Sequence, residues 1–243
     1  MGGAYPLRQC AVMDKEEQKH MDRVEEARRT LLALYGGSHS PLEESDPDFA
    51  AIKQRLVYGE LYAQEALDPV MRELILLAVA TTNQTMSEVK LHTCAALRSG
   101  ASPEAVKEAV YHCAPYIGLG KAEAAAAAVN EVLRTQGISL PLASQRTVSE
   151  EDRLTAGIAA QKSIFGPHID EMRAAAPNDK KPLQDYLSAY CFGDFYTRSG
   201  LDIRQRELLT FSILSAQGGC ENQIKAHAGG NAAVGNDKPL LLA

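Results

Sequence analysis

Apolar residues recur along this chain at intervals of three and four, and no stretch of any length alternates at the period of two that a half-buried strand shows. Between residues 14 and 34, Met21, Val24, Ala27, Leu31 and Leu34 fall on one helical face, which Gly36-Gly37 ends. A Ser/Pro/Glu-rich loop follows to about Pro47. A second helix, over about 48–64, carries Phe49, Ile52, Leu56, Leu61 and Tyr62. Asp68-Pro69 opens a third, with the acid at the N-cap and proline in the first turn, where its missing N–H is not needed; it is predicted over 69–82. After the polar break Asn83-Gln84-Thr85 comes a helix over 87–98, stopped by Gly100. Ser102-Pro103-Glu104 is another N-cap, proline and acidic first turn, opening a helix to about Tyr116. An alanine-rich helix over 121–134 completes the series. The pattern predicts an all-α fold.

After a linker over 136–146 the pattern restarts. Asp152-Arg153-Leu154 with Phe165-Gly166 echoes Asp22-Arg23-Val24 with Tyr35-Gly36 at an offset of 130. Phe192-Gly193-Asp194-Phe195-Tyr196 echoes Tyr58-Gly59-Glu60-Leu61-Tyr62 at an offset of 134. The closest repeat runs from Leu67-Asp68 through Arg72-Glu73-Leu74 to Lys90 and His92, and again from Leu201-Asp202 through Arg206-Glu207-Leu208 to Lys225 and His227. The glutamates lie 134 apart and the histidines 135, so one residue has been gained inside the second copy, near Gly218-Gly219. Repetition at this period predicts two tandem units, residues 14–135 and 147–243. At an offset of 135 the final Ala243 corresponds to Glu108, so the second unit is expected to be incomplete. The apolar Leu240-Leu241-Leu242 ending would need cover from more chain or from a partner.

Composition narrows the function classes. The 243 residues suffice for a sizeable core, and with 45% apolar residues, no Trp and only 6% aromatics, that core is built from Ala, Leu, Val and Ile. A net charge of −6 and a pI near 5.6 argue against a nucleic-acid or anionic-membrane partner. No apolar run approaches the roughly 20 residues of a membrane span, and the N-terminus lacks a signal-peptide core. The first 13 or so residues read as disordered, with Met13 as an alternative start. Five scattered cysteines do not read as a disulfide framework. A reduced, cytoplasmic protein is expected.

A repeated Glu and a repeated His at nearly constant spacing point to a site. Glu88 lies four residues before His92, which places both on one helix face. The bland alternatives are helix-start acids favoured by the dipole, ion pairs of Arg72 and Arg206 across an interface, and histidines satisfied in a packing seam. Cys220 follows two glycines at a predicted helix start, where the dipole lowers a thiol pKa. Cys94, Cys113 and Cys191 fall within helices and read as core. His92 and His112 match no zinc spacing, and no metal or cofactor is expected.

These motifs resemble the carboxymuconolactone decarboxylase family, whose superfamily includes the AhpD-like alkylhydroperoxidases. The resemblance covers about residues 48–134 and 182–243. It implies a small all-helical bundle that assembles as a homo-oligomer, a trimer or hexamer, with sites near subunit contacts. In the redox branch a Cys-x-x-Cys-x-x-x-His loop works with a Glu 19 residues before the His. Here Thr85 and Glu88 stand at the two cysteine positions of the first unit, and Cys220 and Gln223 at those of the second, so neither unit has a resolving thiol at hand. The decarboxylase branch needs no cysteine pair. It resembles this chain in Glu88 before His92 and in the stretch Tyr111-His112 to Gly118. The resemblance thus implies acid–base chemistry on a small lactone or carboxylate, with Glu73, Glu88, His92, Glu207, Cys220 and His227 as candidate site residues. A peroxidase using Cys220 alone and a non-catalytic scaffold are the alternatives.

Overall fold

The computed structural model describes residues 23–37, 40–64 and 66–242, and no strand occurs among them. The fold is an all-α bundle of the AhpD-like type. The helix start expected at residue 14, the expected disorder before it and Cys10 lie outside the described residues. The chain forms two compact units, residues 1–65 and 66–243.

The first unit holds α1 (Arg23–Tyr35) and α2 (Pro47–Gln54), which runs on into a π-helical turn, Arg55–Leu61. Ala27, Leu31 and Tyr58 form its core. Arg23 reaches Glu60 at 2.6 Å. Gly59 explains how closely the two elements approach: a Cβ there would lie 2.1 Å from the carbonyl oxygen of Arg23, a distance no side chain tolerates.

The second unit holds α3 (Pro69–Thr82), α4 (Met86–Arg98), α5 (Pro103–Ile117), α6 (Leu119–Thr135), α7 (Arg153–Phe165), α8 (His168–Ala175), α9 (Lys181–Tyr186) with its π-helical continuation Leu187–Tyr196, α10 (Ile203–Gln217), α11 (Glu221–Ala233) and α12 (Lys238–Leu242). The helix starts are those the capping residues dictate. Met71 N–H donates to Asp68 Oδ1 at 2.9 Å, and Ala105 N–H to Ser102 Oγ at 3.1 Å. Asp202 and Gln205 close a reciprocal capping box at the head of α10.

The repeat is visible element by element. Helices α1 and α7, α2 and α9 with their π turns, α3 and α10, and α4 and α11 correspond in order. Among the described residues helix α8 has no counterpart in the first copy. Gly193 matches Gly59: its Cβ would lie 2.2 Å from the carbonyl oxygen of Arg153, and Arg153 pairs with Asp194 as Arg23 does with Glu60. The second copy goes further, since a Cβ on Gly157 of α7 would meet Ser188 O at 2.0 Å.

The main core of the second unit is built from α3, α4, α5, α6 and α10, with Leu74, Leu77, Val89, Val106, Leu133, Leu209 and Ile213 fully buried. Helix α10 packs against both α3 and α5, so this core mixes helices from both copies. A smaller cluster of Ile164, Cys191, Phe192 and Tyr196 joins α7 to the π turn after α9.

Candidate active site

Each copy brings its glutamate and histidine together. Glu73 on α3 and His92 on α4 are almost wholly buried, with Nδ1 of the imidazole 2.9 Å from Glu73 Oε2. The other ring nitrogen, Nε2, lies 3.7 Å from Glu88 Oε2, one turn back on the same helix. In the second copy His227 Nδ1 lies 2.9 Å from Oε2 of the fully buried Glu207, again across neighbouring helices, α10 and α11. A carboxylate on Nδ1 fixes the orientation and tautomer of the ring and leaves Nε2 as the working nitrogen.

The second pair is held from several sides. Tyr196 Oη donates to Glu207 Oε1 at 2.6 Å, so both carboxylate oxygens are engaged. Asn231 donates to the carbonyls of Glu207 and His227 at 3.0 and 2.8 Å, tying α10 to α11. A Cβ on Gly230 would lie 2.5 Å from Glu207 Oε2, so this glycine makes the space the carboxylate occupies. Phe165 sets its ring edge-on to His227, with centroids 5.3 Å apart.

Behind Glu207 runs a buried polar chain. Tyr196 Oη also meets Thr210 Oγ1 at 2.7 Å and Tyr116 Oη at 3.2 Å, and Tyr116 meets Thr210 at 2.9 Å. Burial pushes both phenols well above their ordinary pKa, so both stay neutral. His112, fully buried on α5, places Nε2 2.9 Å from Thr210 Oγ1 and 3.1 Å from the carbonyl of Arg206. A carbonyl only accepts, so Nε2 carries the proton. Nδ1 is then the acceptor facing Arg206 Nη1 at 3.5 Å. Burial first, and the charge of Arg206 second, hold the His112 pKa well below its ordinary value. His112 is therefore a neutral, fixed group and not a base.

Arg206 is itself fully buried. Its Nη2 donates to Glu108 Oε2 at 3.0 Å and to the carbonyls of Arg198 and Ser199, while its Nε has no partner. Burial lowers its pKa and Glu108 opposes that shift. Arg198 Nε donates to the same carboxylate at 2.9 and 3.1 Å. An ion pair across an interface was one alternative for Arg206; within the chain it pairs with Glu108.

Cys220 is the N-cap residue of α11, half-buried, and its thiol makes no hydrogen bond among the described residues. The structure puts it at the head of the helix that carries His227 but does not bond the two. Cys113 and Cys191 are buried, as expected of core residues, and Cys94 is half-buried. Burial pushes the Cys191 thiol up to about 12 and raises those of Cys94 and Cys113, which makes them poor nucleophiles. Among the described residues no three His, Cys, Asp or Glu side chains converge to hold a metal ion. No helix among them is long and apolar enough to cross a membrane.

The site is thus a duplicated buried carboxylate–imidazole pair on an all-α, internally repeated bundle. The chain belongs to the carboxymuconolactone decarboxylase family: the family model matches residues 47–131 and 181–238, more than half of its length and one region in each copy. It is 29% identical over 98 residues to the 4-carboxymuconolactone decarboxylase of Acinetobacter baylyi (strain ATCC 33305 / BD413 / ADP1), a match spanning 40% of this chain and 73% of that relative.

Proposed function

We propose that this chain is an acid–base enzyme of the carboxy-lyase type, acting on a small carboxylated lactone or a related carboxylate. The observation that carries the reading is the Glu207–His227 pair, with Tyr196 on the second carboxylate oxygen. In such a reaction the C–C bond to the carboxylate breaks, carbon dioxide leaves, and the electron pair stays on a carbon conjugated with the lactone carbonyl. The imidazolium delivers a proton from Nε2 to that carbon, and the buried glutamate stabilises the cationic ring until it does so. Glu73, His92 and Glu88 offer the same arrangement in the first copy, with Glu88 placed to exchange a proton with His92 Nε2. The test is consumption of 4-carboxymuconolactone by the purified chain, followed by carbon dioxide release. His227→Gln and His92→Gln together are expected to lower kcat by about 10²- to 10⁴-fold. No turnover by the unaltered chain, or full turnover by the double variant, would sink the reading.

A second reading, a single-cysteine thiol peroxidase, is favoured by the position of Cys220. It is the N-cap residue of α11, directly after Gly218 and Gly219, both at positive φ, and a helix start is a position that favours thiolate chemistry. Iodoacetamide labelling of the native chain, read by mass spectrometry, tests it. Cys220 should be alkylated well before Cys94, Cys113 and Cys191, and more slowly after His227→Ala. Labelling no faster than that of Cys94 removes this reading and leaves the first intact.

A further inference from the structure

We propose that the cavity between α5 and the 141–145 segment is a binding site for a small monocarboxylate with an apolar body. None of Glu73, His92, Glu207 and His227 lines it, so the proposal stands whether or not those pairs are catalytic. The cavity measures about 150 Å³, the share of roughly five waters. Pro141, Leu142 and Ala143 supply its apolar lining, with Ser144 and Gln145 next in the same segment. Lys107, Tyr111 and Arg198 supply cations and an aromatic ring, with Glu104 and Glu108 among them.

The charges decide what the cavity accepts. Glu108 lies at its wall, but both carboxylate oxygens are occupied, by Arg198 Nε and by Arg206 Nη2. Arg198 spends only Nε on this contact, and its Nη1 and Nη2 amino groups make no hydrogen bond among the described residues. Lys107 holds only the neutral Asn130 Oδ1, at 3.0 Å, and forms no ion pair there. What remains unspent on Arg198 and Lys107 is therefore hydrogen-bond donors, and Glu104 is the one further carboxylate in the lining. The lining holds two cations, Lys107 and Arg198, and two anions, Glu104 and Glu108. Because Glu108 is also neutralised from behind by the buried Arg206, the wall favours a monoanion over a dianion.

The cations are also held in place. Lys107 Nζ lies 5.5 Å and Arg198 Cζ 5.8 Å from the centroid of the Tyr111 ring, within cation–π range of one aromatic anchor. Arg198 is further pinned through Nε by a carboxylate that is 1% exposed. Fixing two flexible side chains before the ligand arrives removes much of the ordering loss that binding would otherwise incur. The two free amino groups of Arg198 present the forked donor set that a carboxylate matches, and Lys107 adds a point charge.

The experiment is calorimetric titration of the full chain with sodium benzoate, and with benzamide as a nearly isosteric neutral probe. Benzoate is expected to bind and benzamide to bind at least about tenfold more weakly, since charge-assisted hydrogen bonds are lost. Lys107→Met, which keeps the apolar stem, should weaken benzoate about tenfold. Ala143→Phe, on the exposed segment and leaving every charged residue unchanged, should abolish binding by filling the cavity, with circular dichroism confirming that both variants fold. Absence of benzoate binding, equal binding of benzamide, or unchanged benzoate affinity in both variants overturns the proposal.

Discussion

The hydroxyl of Tyr196 donates to Oε1 of Glu207 at 2.6 Å while Oε2 of the same carboxylate holds His227 Nδ1 at 2.9 Å. The tyrosine comes from the π turn after α9 and the histidine from α11, so one buried carboxylate locks two elements to α10. Glu207 is wholly shielded from water, and without Tyr196 no solvent would replace the lost donor. Tyr196→Phe is therefore expected to destabilise the fold by about 1–3 kcal/mol in urea denaturation. If the pair is catalytic, it should also lower kcat more than it raises KM, because a loosened carboxylate no longer fixes the imidazole. An unchanged urea midpoint would show that the bond contributes nothing.

Two glycines with opposite surroundings make a paired stability prediction. A Cβ on Gly193 would sit 2.2 Å from the backbone oxygen of Arg153, which has no side-chain freedom to yield, whereas one on Gly229 in α11 would meet nothing within 4 Å. Gly193→Ala should cost about 3 kcal/mol or more by forcing α7 away from the π turn. Gly229→Ala should stabilise by about 0.4–1 kcal/mol, since alanine loses less backbone entropy in a helix. Thermal denaturation of the two variants checks both signs, and equal effects would refute the close-approach explanation of the repeated glycine.

The carboxylate–imidazole pairs were legible in the sequence because duplication exposed them: the spacing of Glu73 to His92 recurs, one residue longer, between Glu207 and His227. The chain behind them was not. His112, Tyr116, Tyr196 and Thr210 meet from α5, the π turn after α9 and α10, across up to 98 residues of sequence. Thr210 also breaks the repeat, since position 76, at an offset of 134, is Leu76. Tyr196 left a signal in its echo of Tyr62, and His112 and Tyr116 in the stretch from Tyr111 to Gly118, but nothing in the sequence joined them. For Arg206 the sequence left an ion pair across an interface open and gave no sign of Glu108. Adjacent residues of a helix point to different faces, so Arg206 reaches Glu108 while Glu207 reaches His227. The π turns were invisible because the extra residue they insert does not disturb a pattern read only at three- and four-residue spacing.

Helix α2 exposes Phe49 and Ile52, and α9 exposes Leu183 and Tyr186, each more than half accessible. These residues correspond at the offset of 134, so the chain carries two versions of one apolar face. Faces of this kind mark interaction surfaces, and closed symmetry is the usual way for copies of one chain to cover them. The expected outcome is a homo-oligomer, most simply a trimer of two-copy chains, by light scattering at micromolar concentration. Ile52→Glu together with Tyr186→Glu should dissociate it. A stable monomer of the unaltered chain at that concentration removes the prediction.

His112 gives the stability a predictable pH dependence. In the unfolded chain this imidazole takes up a proton as pH falls through its ordinary value of 6.5, whereas in the fold burial and the Arg206 charge hold it neutral to well below that. Every charged or polar side chain in contact with it opposes protonation or is indifferent to it: Arg206 is cationic, and Thr210, Tyr116 and Tyr196 are neutral. Below 6.5, then, the unfolded state binds a proton that the folded state does not. Stability should fall with decreasing pH through that window, by up to about 1.4 kcal/mol per pH unit from this residue. His112→Gln keeps a donor for the Arg206 carbonyl and has no proton to gain. Urea midpoints between about pH 7 and about pH 5 should therefore fall less steeply for the variant, even though it starts from a lower stability. Parallel curves for the two proteins would mean that His112 is not the neutral buried group its geometry requires.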